Sequence, residues 1–133
     1  MPTRAISLSL ASYLMGNYNE LNVWKKSVDL AIAVYRATAK FPKDEIFGLR
    51  MQMRRAAVSV PSNLAEGAGR STAKDYRRFV LQARGSILEL ETQIVISERL
   101  EFIGAQTCDA LRAATGEIGR MLNGLLRYLT PDA

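Results

Sequence analysis

A chain of 133 residues and 14.7 kDa with 48% apolar content has the length of one domain and enough hydrophobic material for a core, which excludes a disordered chain or a disulfide-stapled miniprotein. It carries a net charge of +5 and no histidine, so the commonest acid–base group, the usual zinc and di-iron ligand and every histidine-dependent nuclease chemistry are missing. The single cysteine, Cys108, forms no internal disulfide, and no run approaches the roughly 18 apolar residues of a membrane span; a cytoplasmic protein without membrane association is expected.

Residues 1–16 imitate a signal peptide with one arginine and an Ala/Leu/Ser run, but the basic region is thin and no small-x-small cleavage site follows. Residues 1–17 are therefore expected to be an N-terminal extension, either a short helix or disordered, ahead of a bundle domain over residues 18–133. From there apolar residues recur every three or four positions, and no alternating strand pattern competes. The first helix is expected to start after Asn22 as N-cap and to reach about Lys40, with Trp24, Val28, Ala31, Val34, Tyr35 and Thr38 on its inner side; Phe41-Pro42 ends it. The second begins near Asp44 and places Ile46, Leu49, Met53, Ala56, Val60 and Leu64 at helical spacing before Gly67 and Gly69 stop it. Pro61 predicts a kink or a split, because proline lacks an N–H and crowds the preceding turn.

The third helix follows the capping candidates Ser71 and Thr72 and continues to about Phe102, with Gly104 as its stop. Its inner side reads Tyr76, Phe79, Val80, Ala83, Ile87, Leu90 and Ile94. The fourth runs from about Gln106 to Leu129, and Cys108, Leu111, Thr115, Ile118, Leu122, Leu125 and Leu129 keep an unbroken seam spacing. Four amphipathic helices on short loops predict an all-α fold: an antiparallel up-down-up-down four-helix bundle with its second helix kinked at Pro61.

Two features predict that this bundle associates with itself. Leu88 and the contiguous Ile94-Val95-Ile96 widen the apolar surface of the third helix beyond the stripe that one core requires. Gly116, Gly119 and Gly124 each weaken the fourth helix by about 1 kcal/mol relative to alanine, a composition kept where another backbone comes close. The third helix is also basic in its first half and acidic in its second, the reverse of what the helix dipole favours. Pairing with neighbouring helices, an oligomer contact or an external anion must supply the reason.

The positive charge is concentrated. Residues 50–84 hold eight basic residues, Arg50, Arg54, Arg55, Arg70, Lys74, Arg77, Arg78 and Arg84, against Glu66 and Asp75. Arginine presents a planar fork of donors suited to phosphates and carboxylates. Two readings stay open: a surface for a polyanion, or cations that pair with acids on this chain's own subunits or on an acidic partner. Aromatic residues are 8% of the chain and lie mostly on core-facing stripes, so neither base stacking nor sequence-specific recognition is expected.

A second polar constellation combines Ser59, Asn63, Glu66 and Arg70 on one helical face with Ser86, Glu89 and Gln93 on the next. Glu66 and Glu89 invite comparison with di-metal or acid–base sites, but di-iron bundles take a Glu-x-x-His pair from their helices and this chain has no histidine. Ser59 and Ser86 likewise have no histidine to activate them. No catalytic residue, metal or cofactor is expected, and these side chains are assigned to a hydrogen-bonded network that fixes helix register.

The motifs Asn22-Val23-Trp24, Phe41-Pro42-x-x-Glu45-x-x-Gly48-Leu49, Gln52-x-x-Arg55-Ala56-Ala57-x-Ser59-Val60-Pro61-Ser62-Asn63-x-Ala65-Glu66-Gly67-x-x-Arg70 and Ala83-Arg84-Gly85-Ser86-x-x-Glu89-Leu90-Glu91-Thr92-Gln93 resemble the four-helix-bundle proteins encoded in 23S rRNA intervening sequences. The resemblance covers about residues 18–129. That family is similar in fold to the accessory variability protein of diversity-generating retroelements, a basic, barrel-shaped homopentamer that binds nucleic acid and a reverse transcriptase. The resemblance implies a homo-oligomer, a pentamer, without catalytic activity, displaying five copies of the basic segment. Residues 1–17 lie outside the family pattern. Together these readings predict a non-enzymatic bundle that contacts RNA or DNA phosphates through Arg50, Arg54, Arg55, Lys74, Arg77, Arg78 and Arg84, or else a protein-interaction scaffold.

Overall fold

The helical periodicity is realised in the computed structural model, which describes residue 10 and residues 18–130, as helices α1 (Tyr18–Ala37), α2 (Leu49–Ala68), α3 (Ala73–Arg99) and α4 (Ala105–Tyr128). A 3₁₀ turn, Lys43–Glu45, precedes α2, and the described residues contain no strand. Each helix packs on its neighbour in sequence, and α4 closes back on α1. Short connections make the neighbours antiparallel, so the expected up-down-up-down bundle is formed. The expected N-terminal extension lies, apart from Leu10, outside the described residues.

Helix boundaries depart from expectation where a capping partner comes from elsewhere in the fold. α1 begins at Tyr18, so Asn22 lies inside it and caps nothing, and it ends at Ala37 rather than near Lys40. Its inner face is Val23, Ser27, Leu30, Ala31, Val34 and Thr38, whereas Tyr35 is exposed. Ser27 and Thr38 are tolerated in the core because each hydroxyl donates back along the helix, to the carbonyls of Val23 (2.7 Å) and Val34 (2.8 Å). α2 starts at Leu49 rather than near Asp44. Its first N–H donates to the Glu45 carboxylate at 3.2 Å, and Ile46 stays outside the core.

α2 runs through Pro61 as one helix, so the split alternative is not realised. Gly67 does not stop it either; the helix continues to Ala68 and caps at Gly69. The role of Gly67 is spacing: a Cβ there would lie 2.8 Å from both Phe79 Cβ and Tyr76 Cδ1, closer than packed carbons allow. The next helix, α3, opens as expected on Thr72, whose hydroxyl accepts from the Asp75 N–H at 3.1 Å. It stops at Arg99, short of Phe102. Glu101 takes the left-handed conformation (φ 61°), and the Phe102 and Glu101 N–H groups bond back to the Ser97 and Glu98 carbonyls, both at 2.9 Å. This is a Schellman termination with glutamate where glycine is usual. Phe102 then packs on Phe41 with ring centroids 5.3 Å apart. Gly104 is therefore not the stop of α3 but the residue that opens α4.

The inner faces of α3 and α4 are buried as the periodicity predicts. Leu81, Leu88, Val95 and Ile96 remain on the outside of α3, while Ile94 joins the core. Among the described residues no backbone of another helix approaches Gly116, Gly119 or Gly124. Added Cβ atoms would meet only the Arg120, Ile87 and Arg127 side chains, at 3.4, 3.9 and 3.7 Å.

Candidate nucleic-acid interface

The basic segment, continuous in sequence, is divided by the turn at residues 69–72 between the two ends of the bundle. Arg50, Arg54 and Arg55 stand near the start of α2, beside the end of α1. Lys74, Arg77 and Arg78 stand at the opposite end, with Arg84 above them. At 1.5 Å per helical residue, the 18 residues from Arg50 to the end of α2 separate the two groups by about 27 Å. One expected surface is therefore two.

The first group lines a groove of about 640 Å³ between α1 and α2 whose apolar lining is Tyr35, Ile46, Met51 and Val58. No carboxylate lines it, and none of the ion pairs among the described residues reaches Arg50, Arg54 or Arg55. Arg54 is committed within the fold. Its Nε donates to Thr38 Oγ1 at 2.9 Å, its Nη2 donates to the Tyr35 carbonyl at 3.1 Å, and its guanidinium lies 4.4 Å from the centroid of the Tyr35 ring. The Tyr35 carbonyl belongs to the last turn of α1, where besides Arg54 it accepts only a longer bond from the Thr38 hydroxyl at 3.3 Å among the described residues, and Arg54 faces the negative end of the helix dipole.

The second group surrounds the first turn of α3, where backbone N–H groups and the positive dipole end already favour anions. Lys74 and Arg78 are exposed. Arg78 pairs with Asp75 at 3.5 Å and, with Arg70, flanks the Phe79 ring at 5.1 and 4.7 Å. Arg70, assigned from sequence to the polar network, in fact joins this group, and its bond to Glu66 at 3.1 Å is an exposed pair of small energetic weight. Arg77 buries its Nε without a hydrogen-bond partner among the described residues, while Arg84 donates to the Asn123 side chain on α4 at 3.3 Å. Beneath the group Tyr76 donates to the half-buried Glu20 of α1. Burial pushes the Glu20 carboxyl above its usual 4.5, which the Tyr76 hydrogen bond partly offsets, and burial followed by the Glu20 charge and hydrogen bond pushes Tyr76 upward.

The predicted polar network shrinks to one bridge between helices. Ser59 and Ser86 are hydrogen-bonded to each other across α2 and α3, and Ser59 Oγ also donates to the Ala56 carbonyl at 2.9 Å. The remaining members bond locally: Asn63 Nδ2 to the Ser59 carbonyl (2.8 Å), Arg70 to Glu66, and Gln93 Nε2 to Glu89 (3.2 Å). Because the helices are antiparallel, Glu66 and Glu89 diverge from the Ser59–Ser86 crossing and end about 15 Å apart along the axis. They do not form a carboxylate pair. Among the described residues no group of three or more acidic or cysteine side chains is placed to hold a metal ion, and no helix is long and apolar enough to cross a membrane. Of the cross-helix ion pairs that do form, Lys26–Glu117 at 2.8 Å joins residues that the sequence had not singled out, whereas Arg112–Glu98 ties an acid from the second half of α3 to its neighbour α4, one of the reasons expected for that charge order.

Residues 19–124 match the family described as 23S rRNA-intervening sequence protein. Among solved structures, the chain is similar to a protein of unknown function from the S23 ribosomal protein family of Bacteroides thetaiotaomicron. The identity is 19% and the TM-score 0.74, over 82% of this chain and 98% of that one. At that identity the likeness concerns the fold. No curated protein matches the chain.

Proposed function

Because the chain belongs to the family of 23S rRNA-intervening sequence proteins, we propose that it is a non-catalytic bundle that assembles with copies of itself, five by the family resemblance, and binds RNA or DNA through phosphate contacts. The observation that carries this reading is the start of α3. There Lys74, Arg77, Arg78 and the neighbouring Arg70 outnumber Asp75 and Glu66 around a helix end that itself attracts anions, and Arg84 adds a further cation about three turns along the helix. Cations and dipole act in the same direction on a phosphate, and each copy in an assembly adds one such site. Tyr76 and Phe79, the aromatic residues of this end of α3, are buried, so the contact is to backbone phosphates rather than stacked bases.

The test is fluorescence-anisotropy titration with labelled RNA and DNA across a salt series, with the mass of the protein fixed by light scattering. Binding is expected to weaken with a log–log slope of about −0.9 per phosphate neutralised on duplex DNA. Arg77→Glu/Arg78→Glu abolishes it, while Lys40→Glu/Lys43→Glu, the same charge change at the other end of the bundle, leaves most of it. No binding at low salt, or equal binding by both variants, sinks the reading. For Arg50, Arg54 and Arg55 the second reading, pairing within an assembly, is favoured by their place over an apolar groove.

A further inference from the structure

Two apolar surfaces of the bundle have no partner among the described residues, and they differ in charge. The first is the outside of α3, where Leu81, Gly85, Leu88, Thr92 and Val95 follow one another at alternating steps of four and three, with Ile96 beside them. Leu88 is 58% exposed although it lies mid-helix between buried Ile87 and exposed Glu89. A Cβ at Gly85 would meet nothing within 4 Å, so no contact among the described residues explains a helix-weakening residue at the centre of this stripe. The second surface is the α1–α2 groove, continued along α1 by Ile32 and rimmed by Arg50 and Arg55.

We propose that the outer face of α3 in one copy seats in the α1–α2 groove of a second copy. The inference rests on the self-association contained in the proposed function and names the surfaces that perform it. Charge decides the pairing. Of the acids in the second half of α3, Glu98 pairs with Arg112 and Glu91 meets Thr115, both on α4, whereas Glu89, seven residues before Ile96 and on the same side, meets only Gln93 of its own helix among the described residues. Arg50 and Arg55 form no ion pair with a carboxylate among the described residues. Stripe on stripe about a two-fold axis at Leu88 brings Glu89 against Glu89, and groove on groove brings arginine against arginine; stripe on groove brings Glu89 to the arginines. Of the carboxylates in the second half of α3, Glu98 and Glu91 are then accounted for by α4 and Glu89 by the neighbouring copy. Such a head-to-tail contact leaves one free stripe and one free groove at every step, so it closes into a ring or continues.

The full chain tests this by light scattering on two variants with charge placed on exposed positions, Leu88→Glu in the stripe and Val58→Glu in the groove, each checked for an unchanged helical spectrum. The wild type is expected as a multimer and each variant as a single copy. Mixed in equal amounts, the variants give twice the single-copy mass, because one intact stripe meets one intact groove and growth stops there. Variants that keep the wild-type mass, or a mixture that stays at one copy, overturn the assignment while leaving self-association standing. A monomeric wild type overturns both.

Discussion

Arg54 and Arg77 belong to the same basic stretch of sequence, and the bundle uses them in opposite ways. Arg54 lies beside the carbonyl end of α1 and is consumed there, bonded to Thr38 and the Tyr35 carbonyl and stacked on the Tyr35 ring. Arg77 lies in the first turns of α3, where the nearby backbone offers N–H groups rather than acceptors, and its Nε finds no partner. A cation near a helix C-terminus finds carbonyls to cap, whereas a cation near a helix N-terminus faces backbone donors that it cannot bond. Local charge density in sequence does not distinguish these cases. The polarity of the adjacent helix end does.

The comparison breaks most severely at Gly67, which sets the distance between α2 and the start of α3. Gly67→Ala is expected to destabilise the bundle by about 1–3 kcal/mol, because its Cβ collides with Phe79 Cβ and the Tyr76 ring, although alanine favours helix by about 1 kcal/mol over glycine. The denaturant midpoint measures the loss. Nucleic-acid affinity should fall with it, since the displaced α3 carries Lys74, Arg77 and Arg78 away from Arg70. An unchanged midpoint means that the helices are not held at this spacing.

A smaller effect separates the two arginine groups directly. Arg54→Ala removes a charged donor from two acceptors and should cost about 1–2 kcal/mol in thermal or urea unfolding. Arg54→Lys recovers little, because a point charge does not reproduce a fork that reaches a hydroxyl and a carbonyl at once. Arg55→Ala and Arg77→Ala should stay within about 0.5 kcal/mol, as changes at sites that carry no cap or network. If all three substitutions cost the same, Arg54 is not a cap.

What the sequence made legible follows the same division. The bundle, its order and the seams of α3 and α4 are visible because an apolar period depends only on the helix that carries it. Helix ends were misplaced where the deciding partner came from outside the helix or from an unusual backbone: Glu45 reaching forward to Leu49, Glu101 occupying a left-handed position without being glycine. Gly67 reads as a stop, since sequence does not show that Tyr76 and Phe79 press on it. Of the candidate interface, the residue types were legible but their grouping was not. Arg50 and Arg77 share a charged segment only until the chain reverses at residues 69–72. Ser59 and Ser86 meet because a crossing point brings them together, whereas Glu66 and Glu89, on the same two faces, run apart in an antiparallel pair.

The last and smallest effect concerns what lies beneath the α3 group. Burial raises the Glu20 carboxyl, the Tyr76 hydrogen bond partly offsets that rise, and no cation of the α3 group contributes to the shift. A carboxyl raised in the folded state contributes stability that is fully present below its ordinary 4.5 and is lost as pH climbs through the raised value. Glu20→Gln keeps a neutral acceptor for the Tyr76 hydroxyl at every pH. The variant should therefore match the wild type below pH 4.5 and exceed it slightly in urea midpoint at neutral pH. A variant less stable than the wild type at neutral pH would mean that a cation of the α3 group reaches Glu20, and those side chains would then be engaged within the fold as Arg54 is.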